Sequence, residues 1–142
     1  MTEIYLTMDV NTENKDIDDI TYKIRGCAYR VYKNMGPGLL ESVYEEALAY
    51  EINQAGLQVK RQCDVPIIYD GKKLKTDLRL DLLVNDSVIV ELKSVQELLP
   101  IHYKQLYTYL RLCNLSAGLL VNFNVDNIMD GMKRVNYHEN NS

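Results

Sequence analysis

The chain has no tryptophan and a single phenylalanine, so its eleven tyrosines supply nearly all of its aromatic bulk. Cysteine is also scarce: Cys27, Cys63 and Cys113 are odd in number, far apart and free of any CxxC spacing. That excludes a complete disulfide framework and a zinc knuckle, and reads as reduced thiols in a cytoplasmic protein. No apolar stretch approaches the ~20 residues needed to cross a bilayer, and the mean hydropathy is -0.25. Met1-Thr2-Glu3-Ile4-Tyr5 lacks the basic start and apolar run of a secretory signal. Positive charge is in deficit, with 16 bases against 20 acids, which argues against indiscriminate nucleic-acid binding. There are no repeats and no low-complexity linker.

What is present suits one folded domain of 142 residues, 46% hydrophobic and 25% charged. The charge is graded along the chain. Residues 1–58 hold ten acids and five bases, whereas 60–111 hold seven acids and nine bases. The middle of the chain is the part suited to facing an anion.

Hydrophobic spacing divides the chain into elements. Residues 1–16 are polar and aperiodic, and read as a flexible arm before a domain at 17–135. Ile17, Ile20, Ile24, Cys27, Ala28, Val31 and Met35 recur at three and four, predicting a helix over 17–35. Gly36-Pro37-Gly38 breaks it. A second helix is expected over 39–54, with Leu40, Val43, Tyr44, Ala47 and Leu48 on its stripe and Gly56 as its stop. Alternation from Leu57 to Ile67 predicts a strand, with Pro66 marking an edge position or the strand's end. Asp70-Gly71 signals a hairpin turn. Strands follow at 74–84 and 88–94 around a turn at Asn85-Asp86-Ser87. A helix opening at Pro100 and a strand at 117–123 complete the pattern, and 136–142 reads as a frayed tail. The order α-α-β-β-β-α-β is that of an α/β domain with a central mixed sheet.

Alternation in Asp77–Val84 places Leu78, Leu80, Leu82 and Val84 on one face and Asp77, Arg79 and Asp81 on the other. In Val88–Lys93 it separates Val88, Val90 and Leu92 from Glu91 and Lys93. A hairpin at 85–87 then brings Asp81 beside Glu91, with Lys93 one step along. Two neighbouring carboxylates repel unless a cation lies between them, and hard oxygen ligands suit Mg²⁺ or Mn²⁺. A lysine beside such an ion is suited to orienting an attacking water.

These residues resemble the signature of the PD-(D/E)XK nuclease superfamily, in Asp81 followed by Glu91-Leu92-Lys93. Gly38-Leu39-Leu40-Glu41-Ser42-Val43-Tyr44 resembles the defining stretch of the GxxExxY protein family, a PD-(D/E)XK-like group. The likeness continues through Gln105, Tyr109 and Gly118–Asn124, over roughly Ile20–Arg134. The superfamily's proline is missing, since Leu80 precedes Asp81. The resemblance implies a restriction-endonuclease-like core (α-β-β-β-α-β) with an extra N-terminal helix. It implies Asp81, Glu91, the Leu92 carbonyl and Glu41 as ligands of Mg²⁺ or Mn²⁺, with Lys93 as the catalytic lysine. Gln105 and Tyr109 are implied to line the site from the following helix, where a buried Gln105 amide would need a partner. The expected activity is hydrolysis of nucleic-acid phosphodiesters, most readily of DNA. The alternatives are a catalytically inactive binding or assembly module on the same fold and a hydrolase of small phosphates.

Other features are open to two readings. His102, Gln105 and Tyr109 form one helical stripe, so His102 approaches the site or only packs. Lys60, Arg61, Lys72, Lys73 and Lys75 cluster around the first hairpin, where they either track a phosphate backbone or guard a sheet edge. A homodimer is compatible with so small a chain, although no interface is visible.

Overall fold

The computed structural model describes residues 10–139, with side chains from Asp16 onward. Helices α1 (Val10–Met35) and α2 (Glu41–Gln54) are followed by strand β1 (Val59–Val65) and a small hairpin, β2 (Ile68–Tyr69) and β3 (Lys72–Lys73). Then come β4 (Leu78–Val84), β5 (Val88–Lys93), α3 (Pro100–Cys113), β6 (Ala117–Asn122), the short α4 (Ile128–Gly131) and β7 (Met132–Asn136).

The main sheet has the order β1-β4-β5-β6-β7. Only β5 and β6 run parallel, joined through α3; the other neighbours are antiparallel. The outer strands are therefore β1 and β7, and the mixed sheet and edge position expected from the sequence are both found. One apolar layer seals α1 and α2 against the sheet through Ile24, Val31, Tyr44, Leu48, Leu82, Val90 and Val121. The opposite layer gathers Leu80, Ile89 and Leu120 under Leu106 and Leu110 of α3. Gly118 permits that approach: a Cβ there would stand 2.9 Å from Leu106 Cδ1 and 3.0 Å from the Ile89 carbonyl oxygen.

Several boundaries differ from expectation for identifiable reasons. The first helix begins at Val10, inside the anticipated arm, because residues 10–16 carry no apolar stripe for periodicity to register; residues 1–9 lie outside the described part. Met35 and Leu40, assigned to apolar stripes, are largely exposed at helix boundaries. The strand expected from Leu74 starts only at Leu78, since the Asp70-Gly71 turn closes its own small hairpin. Both turn residues have positive φ, +52° and +74°, the left-handed geometry suited to a two-residue hairpin. β7 was not anticipated: Asn136 lies in it and the Tyr137 amide donates to the Ser116 carbonyl, so the expected tail is held at its start. Residues 140–142 of that tail lie outside the described part.

The largest departure is in β4. Leu82 and Val84 join the α1–α2 layer, whereas Leu78 and Leu80 join the α3 layer. Strict alternation would keep all four together. β1 changes face at the same level, between Val59 and Cys63. At that level Gln62 adopts a left-handed φ of +48°.

Candidate active site

The β4–β5 turn is tightly specified. Asn85 and Asp86 both have positive φ, and the Ser87 amide donates to the Val84 carbonyl at 2.9 Å. The ladder then pairs Val84 with Val88, Leu83 with Ile89 and Leu82 with Val90. The next position brings Asp81 opposite Glu91, and here backbone pairing stops. Each carboxylate takes a backbone donor from the other strand: the Asp81 amide donates to Glu91 Oε2 at 3.0 Å, and the Leu92 amide to Asp81 Oδ2 at 2.9 Å. The strands are thus held together by side chains at the point where their backbones part.

Glu91 is 5% exposed, and Asp81 is half-buried. Burial, reinforced by the negative charge of Asp81, pushes the Glu91 carboxyl up to about 8. The positive charge of Lys93 opposes that rise. Lys93 is half-buried and forms no ion pair among the described residues. Its carbonyl accepts from the Phe123 amide at 3.1 Å, which ties the end of β5 to β6.

Helix α2 closes one side. Tyr44 is fully buried and stacks on Phe123 at 4.3 Å. Its hydroxyl donates to the Gly36 carbonyl at 2.6 Å and accepts from the Leu39 amide at 3.0 Å. The tyrosine therefore fixes the loop that carries Leu40 and starts the helix. Glu41, in the first turn, accepts from the Ser94 amide at 3.3 Å, and Ser94 Oγ donates to the Leu39 carbonyl at 2.9 Å. A cavity of about 900 Å³ lies between this turn and the sheet, walled by Glu41, Glu45, Gln62, Asp81, Leu92 and Ser94 among others.

Helix α3 closes the other side. Tyr109 is half-buried, and its phenol is raised by burial first and then by the charges of Glu91 and, more weakly, Asp81, which lie within electrostatic range of it. Gln105 Nε2 donates to the Tyr109 hydroxyl at 2.8 Å. The expectation of a buried Gln105 amide is corrected: the residue is exposed, one helical turn before Tyr109. His102 does not join the site. Its Nδ1 accepts from the Leu99 amide at 2.9 Å, capping α3.

The structure therefore couples Asp81 and Glu91 directly and sets Lys93 and Tyr109 within electrostatic range of the pair, with Leu92 at the cavity wall. Glu41 shares the cavity with Asp81, but no group of three or more acidic, cysteine or histidine side chains is arranged for a metal among the described residues. Two carboxylates nevertheless fit a magnesium-type ion, which commonly takes one or two carboxylates and keeps water and phosphate oxygens for its remaining positions. Asp81 Oδ1 and Glu91 Oε1 have no hydrogen-bond donor among the described residues. The elevated Glu91 carboxyl reflects its burial first and the neighbouring Asp81 charge second.

Sequence reasoning missed three supports. Glu45 is 6% exposed, ion-paired to Arg61 at 3.2 Å and hydrogen-bonded by Gln62. Its position four residues after Glu41, on the same helical side, was a usable signal. Gln62 carries no comparable mark in sequence. Asn122 is buried; its Oδ1 accepts from the Val95 and Asn124 amides, and its Nδ2 donates to the Val95 carbonyl. It holds the segment that leaves Lys93.

The crystal structure of SSO0001 resembles the fold with a TM-score of 0.54 and 24% sequence identity, over 70% of this chain and 49% of that one. The chain thus spans about half the length of that solved structure. No curated protein matches. The family model of the PD-(D/E)XK nuclease superfamily matches residues 18–135, a span that takes in most of α1, all of α2, the sheet up to the penultimate residue of β7 and every residue of the site just described. On that match the chain belongs to the PD-(D/E)XK nuclease superfamily.

Proposed function

We propose that this protein is a divalent-metal-dependent nuclease that hydrolyses DNA phosphodiesters at Asp81, Glu91 and Lys93. The observation that carries the reading is the crossed pairing of Asp81 and Glu91, which leaves one oxygen of each carboxylate for a cation beside the Lys93 amine. Asp81, Glu91, the Leu92 carbonyl and Glu41, which shares the cavity with Asp81, would hold Mg²⁺ or Mn²⁺. Such an ion, when bound, supplies a Lewis acid for a phosphoryl oxygen and lowers the pKa of nearby water.

The chain's own residues do the rest. Lys93 orients the attacking water and offsets the negative charge that develops on phosphorus. Tyr109, set by Gln105, offers its hydroxyl to a phosphate oxygen. Tyr44 and Ser94 keep Glu41 at the mouth of the cavity. The stretch Gly38–Tyr44 supports placing the chain with the GxxExxY proteins, and its three free cysteines support a reducing, cytoplasmic setting.

The test is cleavage of labelled single- and double-stranded DNA with Mg²⁺ or Mn²⁺. Cleavage by the wild type that is lost in a folded Lys93→Ala variant supports the nuclease. That no third acid is arranged with the pair for a metal among the described residues favours a second reading, a binding module without turnover. Metal binding by calorimetry with no cleavage of any strand would decide for that module.

A further inference from the structure

We infer that the β2–β3 hairpin is a nucleic-acid contact outside the catalytic centre, in which Tyr69 stacks on an unpaired base while Lys72 meets its backbone. The nucleic-acid ligand rests on the nuclease reading of the site; the contact itself rests on the hairpin.

The basic residues around β1 separate into two groups. Lys60, Arg61 and Arg79 are each ion-paired, to Asp86, Glu45 and Asp64. Their charges are spent within the protein. Lys72, Lys73 and Lys75 are exposed and form no ion pair among the described residues, and Asp70 is the one acid between Pro66 and Thr76. A chain of net charge -4 therefore presents three lysines, against one aspartate, on one projection.

The same projection carries apolar surface. Tyr69 is 72% exposed and Ile68 62%, and all four hairpin residues are exposed. Register pairs Tyr69 directly with Lys72, so ring and ammonium stand on the same side of the ribbon. An aromatic face beside a cation is the combination that holds single strands, since every base has a stacking face and every nucleotide a phosphate. Phosphate contacts with paired DNA need only the lysines and leave the ring unused; the exposed ring is what selects an unpaired strand. The hairpin leaves the sheet beside the Val65–Leu78 pair, three residues from Asp81, or roughly 10 Å along the strand.

The experiment measures binding without metal, in EDTA, by anisotropy of a fluorescent oligothymidine and of a duplex of equal length. The single strand is expected to bind more tightly. Tyr69→Ala should weaken that binding about tenfold, Tyr69→Phe should restore it, and melting by circular dichroism should show both variants folded. Replacing Lys72, Lys73 and Lys75 together with glutamine should reduce the slope of log affinity against log salt by about two. Wild-type affinity in Tyr69→Ala, or tighter binding of the duplex, would overturn the inference. Cleavage in Mg²⁺ is scored separately: cleavage with an inert hairpin refutes the hairpin alone, and hairpin-dependent binding without cleavage refutes the nuclease alone.

Discussion

Gln62 stands directly opposite Asp81, and it is the residue at which β1 leaves its ladder: Arg61 pairs with Leu82 and Cys63 with Leu80, while Gln62 turns left-handed between them. Its side chain is held by the buried Glu45. Both strands change face here, so the kink in β1 and the divergence of β4 from β5 meet at one aspartate.

A β-branched residue fits poorly at positive φ, whereas glycine adopts it freely. Gln62→Val should lower stability by about 2 kcal/mol and Gln62→Gly by less than half of that, because relief of strain offsets the lost Glu45 contact. Urea unfolding of the two variants measures the difference. Equal losses would mean that the backbone at this position is not under constraint.

Glu91 makes stability depend on pH. Its folded carboxyl titrates near 8, above the usual 4.5, so the folded protein binds the extra proton between those values. Stability should therefore be greatest on the acid side of that window with respect to this group, and fall as pH rises from about 4.5 to 8, by on the order of a few kcal/mol. Denaturant midpoints across this range should show the slope, and Glu91→Gln should flatten it. Mg²⁺ should raise the melting temperature more at pH 8 than at pH 5, since proton and cation compete for the same pair.

Lys93→Ala and Asp81→Asn should each reduce DNA cleavage by about 10²–10⁴-fold while leaving the fold intact. They should separate in calorimetry. Asp81→Asn loses most Mn²⁺ binding, whereas Lys93→Ala keeps it. Retained turnover in Lys93→Ala would transfer the water-orienting role to another group.

Tyr44→Phe preserves the stack on Phe123 but strands the Gly36 carbonyl and the Leu39 amide. A loss of about 1–3 kcal/mol in thermal or chemical unfolding is expected. Cleavage should fall as well, because the loop so released leads directly into Glu41 at the start of α2.

The parts of the fold set by side-chain period were readable in advance. β5 is bounded by apolar alternation and a turn, and α1 shows its stripe from Ile17 onward. The convergence of Asp81 and Glu91 followed from counting across the Asn85-Asp86-Ser87 turn. Other parts leave no such trace. β7 has five residues, two of them basic, and α4 has four, too few for any period to appear. The face change at Asp81 coincides with a left-handed glutamine, a residue with no local signature for that conformation. Gln105 was read as buried because helical stripes mark a side, not a depth. His102 was open to a catalytic reading because imidazole caps and imidazole ligands look alike until the Leu99 amide is seen beside it.

The two outermost strands carry their own protection. β1 presents Lys60, Arg61 and Asp64, and β7 presents Lys133 and Arg134. Charged side chains on margins of this kind resist the addition of a foreign ribbon. Copies of the chain are thereby discouraged from polymerising strand to strand, and self-association, where it occurs, is steered toward the helical flanks.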